Sequence, residues 1–278
     1  MSEIETTGLT TFTLLGSGTS TGVPIPGCPC NVCQNTNQKN KRMRTSVLIT
    51  TEQNQNIIID TGPDLRTQLL KNSITNIDAA IITHDHADHV HGIDDLRPFC
   101  FLHNKEIPIY THTDCANSLR SRFPYIFKED FFNKDKPHIG GGVPRLKLRE
   151  IDKTPSINKV LDQNFYFSLL PHGYTHTMAV IYKKLAILVD CHEIPNDLII
   201  KLREMELEYL IIDCVKEGTH QTHLTLDKSF QYIKEIKAKR SILVHMGHEL
   251  EHQSLEEKCF KEFGESVFPG YDSLQLSF

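Results

Sequence analysis

The sequence of 278 residues predicts an α/β fold, and three observations carry that expectation. Short β-prone runs alternate with amphipathic helical patterns. Polar clusters fall where the β-prone runs stop. No internal repeat, low-complexity tract or linker breaks the series, so residues 1–278 read as one domain.

The β-prone runs, in order, are TFTLL, SVLIT, NIIID, AAIIT, IPIY, FYFSLL, MAVIY, LAILVD, YLIID, SILVH and LQLSF. Between them lie helix candidates. PDLRTQLLKN has Pro63 suited to a first helical turn. DCANSLRSRF and NDLIIKLREME show the helical period. In TLDKSFQYIKEIKAK the apolar residues recur three and four apart behind Thr225, a residue able to cap. Residues 128–155 are the exception. They hold NKDKPHIGGGVP, a glycine triplet without clear period, and read as a long surface loop.

Composition narrows the class. With 39% hydrophobic and 23% charged residues the chain resembles an ordinary globular protein. A net charge of −5 argues against a protein gripping long nucleic acid over its whole surface. MSEIETTGLT lacks the basic and apolar regions of a signal peptide, and no apolar run approaches the ~20 residues needed to cross a bilayer. The expected location is the cytoplasm, without membrane attachment. The eight cysteines are then expected as thiols or metal ligands rather than disulfides. Cys100, Cys115, Cys191, Cys214 and Cys259 are scattered and read as small buried hydrophobes.

The strand ends carry the chemistry: NIIID before TGPD, AIIT before HDHADH, SLLP before HGYTH, AILV before DCHE, SILV before HMGH. Side chains at neighbouring strand ends can converge on one point from distant sequence positions. In HDHADH, extended backbone puts His84 and His86 on one side. A following helical turn brings Asp88 and His89 to the same hollow. Two pairs of donors suit two divalent cations better than one. Asp85 and His91 alternate away from that hollow. Asp60 and Asp64 of DTGPD are expected to support ligating histidines or to open a helix, and Asp94, Asp95 and Arg97 to do the same or to form a structural ion pair.

GCPCNVC brings Cys28, Cys30 and Cys33 into one tight loop. A disulfide would leave one of the three over, and three thiolates need a fourth ligand for a closed tetrahedral zinc site. The glycine-rich LLGSGTSTGVP fits neither dinucleotide nor P-loop spacing. It reads as the first strand turning towards the cysteine loop, with its serine and threonines near substrate.

THDHADH resembles the T-H-x-H-x-D-H signature of the metallo-β-lactamase superfamily of hydrolases. LLGSGTSTGVP, RTSVLI, IIIDTGPDLRTQLL, HVHGIDDLRPF, PHG, LVD, THLTL and LVHMGH follow in the order of its PhnP-like phosphodiesterase branch, a cousin of tRNase Z. The resemblance implies a four-layer αβ/βα sandwich, two mixed sheets face to face with helices outside and the site along one edge. It implies that His84, His86 and His172 hold one metal, that Asp88, His89 and His245 hold the other, and that Asp190 bridges them. His176 rivals His172, and His192 is expected just behind the site. His248 becomes the fourth ligand of a structural zinc with Cys28, Cys30 and Cys33. His223 is placed beside the substrate, where an imidazole can move a proton near neutral pH, while His220 is expected as a cap or surface residue.

The implied cofactors are two divalent ions, zinc or manganese with iron also accepted by such ligands, and one structural zinc. The implied reaction is hydrolysis of small or cyclic phosphodiesters by a hydroxide between the metals, with Asp88 and His223 in catalytic roles. The resemblance also extends to a homodimer. One alternative is a tRNase Z-like RNA 3′-processing endonuclease, the only reading with a nucleic-acid partner; the sequence shows no counterpart of its tRNA-binding arm. A thioester or lactam hydrolase leaves THLTL and the cysteine loop without a purpose. A non-catalytic metal-binding protein would have lost a ligand, and every expected ligand type is present here.

Overall fold

The computed structural model describes residues 8–127, 142–151 and 153–278. One sheet contains β1 (Thr11–Gly16), β2 (Ser46–Thr50), β3 (Asn56–Ile59), β4 (Ala79–Ile81), β5 (Ile107–His112), β6 (Leu146–Ile151) and, from the other end of the chain, β14 (Leu274–Ser277). The other contains β7 (Ser156–Val160), β8 (Gln163–His172), β9 (Thr175–Tyr182), β10 (Leu185–Leu188), β11 (Tyr209–Asp213), β12 (Arg240–Val244) and β13 (Val267–Pro269). Their orders are β14-β1-β2-β3-β4-β5-β6 and β13-β12-β11-β10-β9-β8-β7. Both are mixed. β3 to β6 run parallel while β14, β1, β2 and β3 pair antiparallel. β7 to β10 pair antiparallel, and β10 to β13 run parallel.

Nine helices accompany them among the described residues: α1 (Asn31–Gln34), α2 (Leu65–Lys71), α3 (Ala87–Val90), α4 (Arg97–Leu102), α5 (Thr113–Arg122), α6 (Pro124–Phe127), α7 (Asn196–Glu204), α8 (Leu226–Ile236) and α9 (His252–Phe263). The apolar runs explain the layering. In β3, Ile57 and Ile59 face the other sheet and pack in one cluster with Phe167, Val180 and Ile211. Ile58, one residue between, points the other way, into a cluster with Leu65 and Leu69 of α2 and Leu119 of α5. A strand covered on both faces must be apolar at every position, as these parallel strands are. On the far side, Leu198 and Leu202 of α7, Ile233 of α8 and Leu255 of α9 cover Leu188, Ile212 and Leu243. The architecture is the four-layer sandwich of two mixed sheets.

Three expectations need correction. The long surface loop at 128–155 is not continuous: Leu146–Ile151 forms β6, paired in parallel with β5 over six residues. Its LKLREI buries only Leu146 and Ile151 well, so an edge strand left the alternation too weak to read. Residues 128–141 lie outside the described residues. Pro63 precedes α2 rather than opening it; the helix starts at Leu65, and the Asp64 side chain makes no cap bond. Thr225 likewise stands at the N-cap of α8 without a side-chain cap bond. The five scattered cysteines are buried free thiols.

Candidate active site

The ends of β3, β4, β8, β10, β11 and β12 meet at one edge of the sandwich. Two loops there cross backbone to backbone. A Cβ on Gly62 would stand 2.1 Å from the Asp88 carbonyl oxygen, and one on Gly92 would stand 2.0 Å from that of Gly62. Only glycine permits that approach, which locks the DTGPD turn onto the loop bearing the histidines. Asp60, Asp190 and His245, each just past a strand, adopt positive φ of 63°, 56° and 58°. For a residue with a Cβ this costs on the order of 1 kcal/mol or more. Each of the three turns its side chain into the hollow or onto a residue that faces it.

His84, His86, His172 and Asp190 form one group whose donor atoms all lie within 4.8 Å of one another, and His89, Asp190 and His245 form a second. Asp190 belongs to both. Its Oδ2 lies 3.5 Å from His84 Nε2 and 3.2 Å from His89 Nε2, while Oδ1 lies 2.8 Å from His245 Nδ1. Asp88 Oδ2 is 3.2 Å from His89 Nε2. Apart from His86 and Asp88, these side chains are almost wholly buried. Yet His84 Nε2, His89 Nε2 and Asp190 Oδ1 have no aligned hydrogen-bond partner. Buried lone pairs pointing at one another are costly. A pair of divalent cations is the group that fits them, and it accounts for so polar a cluster at the strand ends.

The outer atoms of these residues are held. His89 Nδ1 donates to Asp60 Oδ2 at 2.7 Å, and Asp60 accepts from the Thr83 backbone N–H and Oγ1–H at 2.8 Å each. His172 Nδ1 donates to the Thr222 carbonyl at 3.0 Å. Thr19 Oγ1 lies 3.1 Å from His245 Nε2, so the glycine-rich loop reaches the site. The field is strongly coupled. Burial and the neighbouring His89 push His84 well below the usual imidazole range. Burial opposes charge on His89 as well, but Asp190 and Asp60 outweigh it and raise it.

Beside this cluster stands His223. Its ring stacks on that of His245 with centroids 4.8 Å apart, and its Nδ1 is 3.0 Å from Asp213 Oδ2. Burial lowers its pKa, yet the Asp213 hydrogen bond and charge prevail and raise it to about 9. That shift favours the protonated imidazole. Asp213, fully buried at the end of β11, was not singled out by sequence. YLIID ends in an acid just as AILVD does, and that shared pattern was the signal available.

The mouth is a cavity of about 520 Å³ lined by Ser20, His86, Asp88, His172, Tyr174 and His223, with Asp190 beneath. The remaining sequence candidates fall elsewhere. His176 is exposed and pairs in register with Pro171, so it lies on the opposite face from His172. Asp85 turns away to Ser118 and Arg122, and His91 packs on Phe123. Asp64 bonds Arg44, and Asp94 accepts from Tyr125. His192 receives the Gly173 N–H at 3.3 Å, and His220 is exposed beside His223.

A separate cluster lies under the glycine-rich loop. Cys28, Cys30 and Cys33 Sγ stand 3.3, 3.4 and 3.7 Å from His248 Nδ1. The four donors can hold one cation in a closed site. Cys30 caps α1, accepting from the Cys33 N–H at 3.4 Å. Chiefly through that bond, its thiol is lowered to about 6, so a thiolate stands ready for a soft metal.

Residues 55–246 match the β-lactamase superfamily domain. An octanoyltransferase of Porphyromonas gingivalis (strain ATCC BAA-308 / W83) is 34% identical over 263 residues, 94% of this chain and 50% of the relative. The chain thus spans about half the length of the curated relative it matches. A crystal structure of a diphosphatase from the PhnP family superposes with a TM-score of 0.85 at 30% identity, covering 97% of this chain and 98% of that one. Human tRNase Z, short form, superposes with a TM-score of 0.63 at 18% identity, covering 96% and 98%.

Proposed function

The chain belongs to the β-lactamase superfamily, and within it to the PhnP family, and from that premise we propose a two-metal phosphodiesterase acting on small or cyclic phosphodiesters. The single observation that carries this reading is His223, hydrogen-bonded to Asp213 and stacked on His245, beside two donor groups that share Asp190. His84, His86 and His172 would hold one cation, Asp88, His89 and His245 the other, with Asp190 between. When bound, such a pair supplies an acidified water and neutralises charge on a phosphoryl oxygen.

The chain's own residues do the rest. Asp60 and the Thr222 carbonyl fix the rings of His89 and His172 by their second nitrogens, so the donor atoms wait in place. Asp213 holds the Nδ1 proton of His223 and turns Nε2 towards the cavity. As a phosphoester bond breaks, charge grows on the departing alkoxide, and His223 Nε2–H donates its proton there. Cys28, Cys30, Cys33 and His248 would hold a structural zinc away from this chemistry. A cavity of about 520 Å³ walled by hydroxyl, carboxylate and imidazole side chains suits the phosphoryl and sugar oxygens of a small diester.

A second reading comes from the octanoyltransferase relative: hydrolysis of an acyl ester or thioester. The described cavity wall disfavours it: among the described residues Tyr174 is its only large side chain with apolar surface besides the imidazoles, which gives an eight-carbon chain little apolar surface to bury against. An RNA 3′-processing activity remains the nucleic-acid alternative, with a precursor tRNA as its probe. The test is metal analysis of the purified chain beside a panel of bis(p-nitrophenyl) phosphate, a 2′,3′-cyclic nucleotide, precursor tRNA and an octanoyl thioester. Turnover of diesters with two ions per active site is expected. Metal-loaded protein active only on the thioester, or on nothing, overturns the reading.

A further inference from the structure

Resting on that reading, we infer that Tyr174 is a stacking platform that selects phosphodiesters bearing a planar aromatic ring, such as a nucleobase, next to the reacting phosphorus. Tyr174 occupies the tip of the β8–β9 hairpin, two residues after His172, and its side chain is fully exposed. Other large hydrophobic side chains are exposed too, among them Leu70, Leu102 and Phe260, but of the described exposed set only Tyr174 lines the site cavity. It buries nothing in the fold. A scattered surface aromatic needs no explanation; one placed on the rim of a polar catalytic cavity offers, among the described residues, the one carbocyclic aromatic face there, beside the imidazoles.

The tip that carries it is rigid. His172 and Thr175 pair to close the hairpin, leaving Gly173 and Tyr174 as its turn. Gly173 takes the left-handed φ of +58°, and its N–H donates to His192 Nδ1 at 3.3 Å. A Cβ there would stand 3.0 Å from Thr222 Cγ2, so the turn is seated on the 222 loop. His172 Nδ1 grips the Thr222 carbonyl on the same loop. The backbone of Tyr174 is thus fixed relative to His172 and His223, while only its own χ angles stay free. An aromatic ring held this way costs little entropy to engage. Base–aromatic stacking is tolerant of which base is presented. The expected preference is for ring against no ring, not for one base over another.

The test compares wild type, Tyr174→Ala and Tyr174→Phe, each metal-loaded, on adenosine 2′,3′-cyclic phosphate and on methyl riboside 2,3-cyclic phosphate, which has the same reacting ring and no base. Tyr174→Ala is expected to lower kcat/KM for the adenosine substrate roughly ten- to hundredfold, mostly through KM, and to leave the base-free substrate unchanged. Tyr174→Phe keeps both values, since the face and not the hydroxyl makes the contact. Tyr174→Ala reducing both substrates equally, or neither, overturns the inference while leaving the phosphodiesterase reading standing. Wild type inert towards both refutes that reading and this inference with it.

Discussion

His223 Nδ1 lies 3.0 Å from the Oδ2 of Asp213, a carboxylate with no exposure to solvent. The Asp213 carboxylate also accepts the Cys191 backbone N–H at 3.2 Å, so it is anchored one residue beyond Asp190. The strand end that supplies Asp190 therefore also sets the angle of His223, and its ring is aimed by the same element that joins the two donor groups.

This geometry makes the proton demand of the leaving group the discriminating variable. His223→Ala should cut kcat by about 10²–10⁴ on diesters with an alkoxide leaving group. The loss should be far smaller on bis(p-nitrophenyl) phosphate, whose leaving group departs without a proton. Metal content, read by mass spectrometry, should stay at the wild-type value. Equal losses on both substrates, or a lost metal, would show that His223 acts otherwise. Asp213→Asn should give the same leaving-group pattern at smaller amplitude.

The loop between His245 and His248 is short, and two devices hold it. The cysteine cluster grips His248. From below, the buried Arg42 donates through Nη1 to the Gly247 carbonyl at 2.9 Å and through Nη2 to that of Leu250 at 2.7 Å. Cys30→Ala should remove the structural zinc and lower both the occupancy of the site containing His245 and the activity. Unchanged activity with catalytic metal retained would mean Arg42 suffices alone. Arg42→Met leaves both carbonyls buried without their donor, at a cost of roughly 2–4 kcal/mol, visible as a lower urea midpoint.

A pH effect on stability follows from Asp272. It accepts from the Ser17 N–H and Oγ–H at 2.9 and 2.8 Å and from the Met43 N–H at 2.8 Å. Burial outweighs these bonds and raises its pKa to about 6 from an ordinary 3.8. The folded state therefore binds the proton more tightly than the unfolded one. The associated stability is complete below the unfolded pKa and disappears as pH rises through about 6. Relative to Asp272→Asn, which does not titrate, wild type should lose roughly 1.5 kcal/mol of unfolding free energy from about pH 5 to about pH 7.5. A constant difference between the two proteins would rule out this titration.

Much of the candidate site was legible because acids and imidazoles at strand ends interrupt an apolar run, and such interruptions are easy to see in AIIT followed by HDHADH. Eleven of the β-prone runs became strands for the same reason of contrast. β6 and β7 sit at sheet edges, where half-exposed LKLREI and SINKV dilute the pattern. β13 is only three residues, too short for a period. Arg42 and Asp272 escaped because a buried charge satisfied by backbone groups leaves no periodic mark. Their partners, Gly247 and Leu250 for one and Ser17 and Met43 for the other, lie over 200 residues away. Asp213 escaped for a different reason: apolar Cys214 and Val215 separate it from the polar KEGTHQTH that follows, so it reads as the last residue of a strand.

Asp60 and Asp64 stand four residues apart in one motif, yet the structure gives them opposite tasks. Asp60 accepts three hydrogen bonds, from His89 and twice from Thr83, at a strained φ of +63°. Asp64 bonds the Arg44 guanidinium and backbone at 2.9 Å each. Removing the Asp60 carboxylate frees the His89 ring to rotate and withdraws the acceptor that fixes its Nδ1–H. Asp60→Ala should weaken the affinity of the site containing His89 by about 10–100-fold in a competition with a chelator. Asp64→Ala, a change of the same size beside it, should leave that affinity where it was and cost only modest stability, because its partner is half-exposed. Equal metal affinity in the two variants would show that the His89 ring is held by its packing, and that the Asp60 hydrogen bond adds nothing to the site.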